Sequence, residues 1–257
     1  MVNLKLTLEY VGTAYHGWQI QPGLPTVQGT LEEKLGVVLR GPVSVRGAAR
    51  TDAGVHALGQ VASLTVPEGT DPAALRRSLN ALLPGDMAVR AVESVPAEFH
   101  ARHSARGRIY RYRVLTGDAI SPFDRGFAGH VRLPLDVEAM DEAAGRLIGT
   151  HDFSSFRAAG DTSESPVKEI RSSRVERAPG RDDLIVYTVE ASSFLQHMVR
   201  ALAGTLIEVG RGRRKPSAMV EILAGRNRSL AGPTAPARGL FLVKVLYPDL
   251  APPQGRW

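Results

Sequence analysis

The run Arg50-Thr51-Asp52-Ala53-Gly54-Val55-His56 puts a guanidinium, a hydroxyl, a carboxylate and an imidazole within seven positions. A carboxylate can form and release a covalent adduct, and a guanidinium can hold an anion. In extended chain, residues two apart share a face, so Arg50 and Asp52 would point the same way. Gly54 lets another backbone come close. Apolar stretches at 43–45 and 61–66 flank the run, so the polar segment is expected to sit in a cleft between strands. The ordinary alternative is a solvated ion pair in an Asp-Ala-Gly turn, worth little energetically. Residue types alone leave both open.

Other groups could assist such chemistry. Tyr110 and Tyr112 alternate with Arg111 and Arg113, and Arg102, His103, Arg106 and Arg108 lie just before them. Arg211, Arg213, Arg214 and Lys215 form a second basic cluster. Basic residues interleaved with aromatics suit backbone binding plus base stacking. The net charge of +6 favours polyanionic partners. Solvated charged faces, and tyrosines on the core side of a strand, are the plainer alternatives, and for Tyr112 the core is preferred.

Several chemistries are missing. There is no P-loop and no strand-Gly-x-Gly-x-x-Gly-helix unit. His100 and His103 lack the spacing of a zinc site, so no metal is expected. Asp52 has no second carboxylate close in sequence, which argues against a glycosidase pair. His151-Asp152-Phe153-Ser154-Ser155-Phe156-Arg157 brings a His and an Asp near serines, but hydrolase triads come from separated positions and no Gly-x-Ser-x-Gly elbow exists. That segment reads instead as the start of a helix.

The elements that must position these groups follow from periodicity. Residues 4–10 alternate as a half-buried strand, and 26–35 shift to helical spacing. Strands are expected at 43–46 and 59–66. Asp71 caps a helix with Pro72 at its first position, and a strand closes at 88–95. The order then repeats: a strand at 109–114, a helix over 135–148 with Asp136 as cap, a hairpin from 170–177 and 184–191, a helix over 194–209 stopped by Gly210, and a strand at 240–245. Two β-α-β-β-α-β units predict an α+β fold of two ferredoxin-like halves, 1–103 and 104–257, whose sheets join edge to edge. The 257 residues suit this, with 43% hydrophobic and 23% charged residues. No apolar run reaches the ~20 residues of a membrane helix, and the start has no signal-peptide pattern. The absence of cysteine fits a reducing, cytoplasmic setting.

The run at 50–56 resembles the signature of the tRNA pseudouridine synthase A family, Gly-Arg-Thr-Asp-Ala-Gly-Val-His, with Ala49 where the family has Gly. Matching blocks follow in order from Leu4 to Pro248: the strand around Tyr110, the segment Phe194-Leu195-Gln196-His197-Met198-Val199-Arg200, and Ala237-Arg238-Gly239-Leu240-Phe241-Leu242. The resemblance implies the pseudouridine synthase fold, with a central mostly antiparallel sheet and the active cleft between its halves. It implies isomerisation of uridine to pseudouridine at positions 38, 39 and 40 of the tRNA anticodon stem-loop, without a cofactor, by a homodimer. Asp52 would be the nucleophile, Arg200 its ion-pair partner, and Tyr110 the residue stacking on the flipped base. Arg50, Leu242, Phe156 and Arg157 would contact substrate. Two other readings remain: a non-catalytic RNA-binding protein with RNA-recognition-like halves, and a small-molecule enzyme on the same fold. The first is disfavoured because the strands lack the RNP aromatic pattern.

Overall fold

The computed structural model describes residues 1–248. These form two compact units, one of Met1–Arg106 with the chain from Leu242 onward, the other of Gly107–Phe241.

The first unit follows the expected order. It contains β1 (Val2–Tyr10), α1 (Val27–Leu39), β2 (Arg46–Gly47), β3 (His56–Val66), α2 (Pro72–Leu82) and β4 (Met87–Val95). β1 pairs antiparallel with both β3 and β4. The alternating residues Leu4, Leu6, Leu8 and Tyr10 of β1 are buried, and Leu31, Leu35, Leu75 and Leu79 from the two helices are buried with them. The Thr26 hydroxyl caps α1 by accepting from Gly29 N, and the Asp71 carboxylate caps α2 by accepting from Ala73 N. β10 (Leu240–Leu246) follows β3 in the strand order, and a methyl on Gly59 would strike the Val243 carbonyl.

The strand expected at 43–46 is shorter. Only Arg46 and Gly47 pair with β3. Side chains of α1 capture the backbone just before them: Val45 N donates to Glu32 Oε1 at 2.8 Å, and Gln28 Nε2 donates to Val45 O at 3.3 Å.

The second unit contains β5 (Gly107–Thr116), β6 (Gly129–Val131), α3 (Val137–Gly145), β7 (Gly149–Asp152), β8 (Val167–Ala178), β9 (Arg181–Ala191), α4 (Met198–Gly210) and α5 (Ala218–Gly225). The hairpin of β8 and β9 forms as expected, and β9 pairs antiparallel with β5. β6, β7 and α5 were not anticipated, and β6 makes a parallel pair with β5. The Asp136 side chain caps α3 by accepting from Ala139 N. α4 is buried on nearly all sides, as a central helix should be.

Two expectations need correction. The helix foreseen over 194–209 begins only at Met198. His197 has a φ of 62°, a left-handed conformation that no helix interior contains. The backbone before it is committed elsewhere, since Ala158 N donates to Gln196 O at 3.1 Å and Gln196 N donates to Asp161 Oδ2 at 3.0 Å. The segment at 151–157 is not the start of a helix. It is the end of β7 and a single 3-10 turn at Ser154–Phe156, with Asp152 Oδ1 accepting from both Ser154 N and Ser154 Oγ.

The loop at 231–236 lies on α4. Gly204 faces the Pro233 carbonyl, and any Cβ there would run into it. Gly204→Ala should therefore destabilise the protein by about 1–2 kcal/mol. The overpacking cost of about 1–3 kcal/mol outweighs the ~1 kcal/mol gain in helix propensity. Urea unfolding should show a lower midpoint with an unchanged slope.

Candidate active site

In the first unit, residues 48–55 enter β3 from a loop with little freedom. Gln60 is fully buried in β3. Its amide grips Ala49 from both sides: Ala49 N donates to Gln60 Oε1 at 3.3 Å, and Gln60 Nε2 donates to Ala49 O at 2.8 Å. Ala49 is not among the positive-φ residues, so its backbone makes no demand for glycine. The Tyr10 hydroxyl bonds Thr51 Oγ1 at 2.8 Å, and Gln60 Nε2 reaches the same phenol at 3.4 Å. Burial pushes the Tyr10 pKa up to about 12, so it is a neutral phenol around neutral pH.

The turn that follows carries Asp52. Val55 N donates to Asp52 O at 3.1 Å, and Gly54 at the third position has a φ of 77°. A turn with positive φ at that position favours glycine, which explains Gly54. A second loop, residues 12–18, braces this turn. Trp18 N donates to Thr51 O at 3.0 Å and Gly54 N donates to Tyr15 O at 3.3 Å. Gly12 N donates to His56 Nδ1 at 3.1 Å, which leaves Nε2 as the protonated nitrogen of a neutral ring. The approach is close enough that a Cβ on Gly12 would strike the Val55 carbonyl, and one on Gly17 would sit 2.7 Å from Thr51 O. Asp52 is half-buried, Arg50 is exposed, and Thr51 and His56 are buried.

In the second unit, Tyr110 and Tyr112 share one face of β5, while Arg111 and Arg113 occupy the other. Tyr112 is fully buried and its hydroxyl donates to Pro236 O at 2.9 Å, as the core-face reading expected. Tyr110 is 8% exposed, and its ring meets the Phe194 ring edge-on at 5.0 Å and 84°. Such pairs fix ring orientation. Arg200 lies in the first turn of α4. Its Nε donates to Ala235 O at 2.8 Å, while Ala235 N donates to Arg200 O at 3.0 Å.

The remaining candidates are placed as follows. Phe156 and Leu242 are fully enclosed by protein, so contact with an entering base would require neighbouring side chains to move. Arg157 is half-buried and closes the loop after it, donating to Asp161 O and Ser163 O at 2.8 Å each. The basic clusters divide. Arg108 is buried and donates to Ser192 O, Arg113 pairs with Asp124 and lies over the Phe241 ring, and Arg214 pairs with Glu208 at 2.6 Å. Arg111, Arg211, Arg213 and Lys215 are exposed.

Sequence reasoning missed Gln60, Tyr10, the brace at 12–18 and the ring contact of Phe194. The cluster Gly12, Tyr15, Gly17 and Trp18 was the available signal, since two glycines beside large aromatics mark close backbone approach. Among the described residues, no group of three or more His, Cys, Asp or Glu could hold a metal ion, and no helix is long and apolar enough to cross a membrane.

The first unit carries the braced turn of Asp52, the second the Tyr110–Phe194 ring pair, and comparison makes the class of this α+β chain specific. The pattern of the tRNA pseudouridine synthase family matches residues 7–104 and 143–248. The chain is 51% identical to the tRNA pseudouridine synthase A of Myxococcus xanthus over 252 residues, covering 98% of this chain and 94% of that one. It is 44% identical to the enzyme of the same name from Syntrophotalea carbinolica, covering 95% and 96%. With the one from Ralstonia nicotianae identity is 46%, covering 97% and 91%. The chain belongs to the tRNA pseudouridine synthase family, and so to the isomerases.

The grip on Ala49 can be tested directly. Gln60→Ala strands the Ala49 N–H and C=O and should cost about 2–4 kcal/mol of stability. Amide exchange across residues 49–55 should quicken more than in α1.

Proposed function

We propose that this protein isomerises uridine to pseudouridine at positions 38, 39 and 40 in the tRNA anticodon stem-loop, with Asp52 as nucleophile. The N1–C1′ bond breaks and a C5–C1′ bond forms. The C5 hydrogen leaves to solvent as N1 takes one up, so no atom is gained or lost overall. The base must detach, turn and reattach without escaping, which requires a flipped nucleotide in a closed pocket.

Family membership supports the reaction, and the observation that carries the assignment of Asp52 is the bracing of its turn. Residues 12–18 and Gln60 bind the backbone on both sides of it, so the carboxylate is presented from a fixed turn. Positioned groups are what such chemistry needs, because small displacements of a reacting atom are costly. In this reading Asp52 attacks C1′ or C6, or assists a glycal route. Arg200 supplies the positive charge that keeps Asp52 ionised and aimed. Tyr110 stacks on the uracil, its orientation set by Phe194, and Leu242 backs the ring from the apolar side once the side chains enclosing it move. Arg50, exposed beside the turn, contacts phosphate or helps extrude the base. Phe156 and Arg157 support the substrate side of the site. The exposed cations Arg211, Arg213 and Lys215 track the RNA backbone in a homodimer.

Asp52→Asn tests the assignment. Release of tritium from tRNA carrying 5-tritiated uridine should fall by at least about a thousandfold, while tRNA binding should change by no more than about threefold. Release at the wild-type rate would remove Asp52 from the chemistry. Wild-type protein that binds tRNA but releases no tritium would favour a non-catalytic RNA-binding role.

A further inference from the structure

The loop at 12–18 runs along the Asp52 turn and meets it at successive points. Gly12 lies against Val55 and donates to the His56 ring, and Tyr15 O accepts from Gly54 N at 3.3 Å. Gly17 approaches the backbone of Thr51, Asp52 and Ala53, and Trp18 N donates to Thr51 O at 3.0 Å. The turn is therefore only as firmly placed as this loop. One end of the loop is held by α1. Gly17 O accepts from Val27 N at 3.1 Å and Trp18 O accepts from Gln28 N at 3.0 Å, so the loop supplies carbonyls to N–H groups that the helix start leaves unpaired.

The other end is held by Asp86, in the turn between α2 and β4. Its carbonyl accepts from Val11 N at 2.8 Å, and its carboxylate Oδ1 accepts from the Tyr15 hydroxyl at 2.7 Å. These two bonds clasp the chain on either side of the 3-10 turn at Gly12–Ala14. Tyr15 is buried, and its own N donates to Gly12 O at 3.0 Å. The residue is thus tied at its amide, its carbonyl and the tip of its ring. Burial, then the bond to Asp86 and its charge, outweigh a smaller opposing influence of Thr30 and raise the phenol above its usual range. The hydroxyl therefore stays a donor around neutral pH.

The sheet does not require the carboxylate bond. β1 and β4 already pair as far as Tyr10 and Met87, and the Val11–Asp86 backbone bond continues that ladder. The side-chain bond acts on Tyr15 alone, and Tyr15 O holds Gly54 N two residues from Asp52. Hydrogen bonds from a hydroxyl to a carboxylate are among the stronger kind, so this one suits a fixed anchor. We propose that Asp86 is a positioning residue for the Asp52 turn, acting through the Tyr15 phenol. Its consequence for rate rests on the reading of Asp52 as the reacting carboxylate.

The test uses the full-length protein and tRNA carrying 5-tritiated uridine. Tyr15→Phe removes only the hydroxyl. With enzyme in saturating excess, its rate of tritium release should fall by about tenfold, while tRNA affinity stays within about twofold of wild type. Asp86→Ala should match it, and the double variant should be no more than about twofold slower than either, because both changes break one bond. Asp86→Asn keeps an oxygen acceptor and should retain at least about a third of the wild-type rate. The Gly54 amide should exchange faster in Tyr15→Phe, by a larger factor than the α1 amides, which report general destabilisation. With Asp52→Asn inactive, unchanged release or unchanged Gly54 exchange in Tyr15→Phe would overturn the role, as would Asp86→Asn as slow as Asp86→Ala. If Asp52→Asn releases tritium at the wild-type rate, faster Gly54 exchange in Tyr15→Phe would sustain the tie while the catalytic reading of Asp52 fell.

Discussion

Gln60 closes hydrogen bonds on both sides of Ala49, and the placement of the Asp52 turn depends on that grip. The loop at 12–18 completes it from the other direction, through Trp18, Tyr15 and Gly12. Neither contact involves the Asp52 carboxylate. The backbone of the turn is thus held by groups other than the carboxylate that the proposed reaction would use. Glycine at positions 12 and 17 is what makes the second contact geometrically available, because a Cβ at either would force the loops apart. Buried amide groups cost about 1–3 kcal/mol each when unpaired, so the turn is stable only while both grips hold.

The second unit uses the same economy. Arg200 is fastened to Ala235 through its Nε and its carbonyl, and Tyr112 is fastened to Pro236 two positions from where Tyr110 meets Phe194. One loop, residues 231–236, thus sets both α4 and β5. The left-handed His197 turns the chain so that Phe194 can lie against Tyr110 before the helix begins. A helix continuous from 194 would carry Phe194 elsewhere, which is a physical reason for the late start.

Much of this was legible in the sequence. Period-two alternation located β1 and β5, helical spacing located α1, and capping residues located α2 and α3, because these signals are local. The same rules failed where tertiary bonds claimed the backbone first. Val45 gave its groups to α1 side chains instead of a ladder, and Gln196 gave its groups to residues 158 and 161. The candidate Asp52 stood out because its neighbours are unusual as a set. Gln60 and Tyr10 did not, since a buried Gln or Tyr in a strand carries no mark of which loop it will hold. The basic clusters were visible only as a count. Which arginines are structural, such as Arg108 and Arg214, depends on carbonyls and carboxylates distant in sequence.

The first unit is made from both ends of the described chain. β10 supplies Val243 against Gly59, Leu246 O accepts from Arg106 N, and the Tyr247 ring packs on Phe99 at 5.0 Å. During synthesis these partners emerge only after the whole second unit, a wait of roughly ten seconds or more at ~5–20 residues per second. Until then one side of β3 offers unpaired backbone, the kind of edge that invites association with other chains. The strand bearing His56 and Gln60 thus keeps an edge in need of shelter until the last strand arrives, although the grips on its turn come from residues already made.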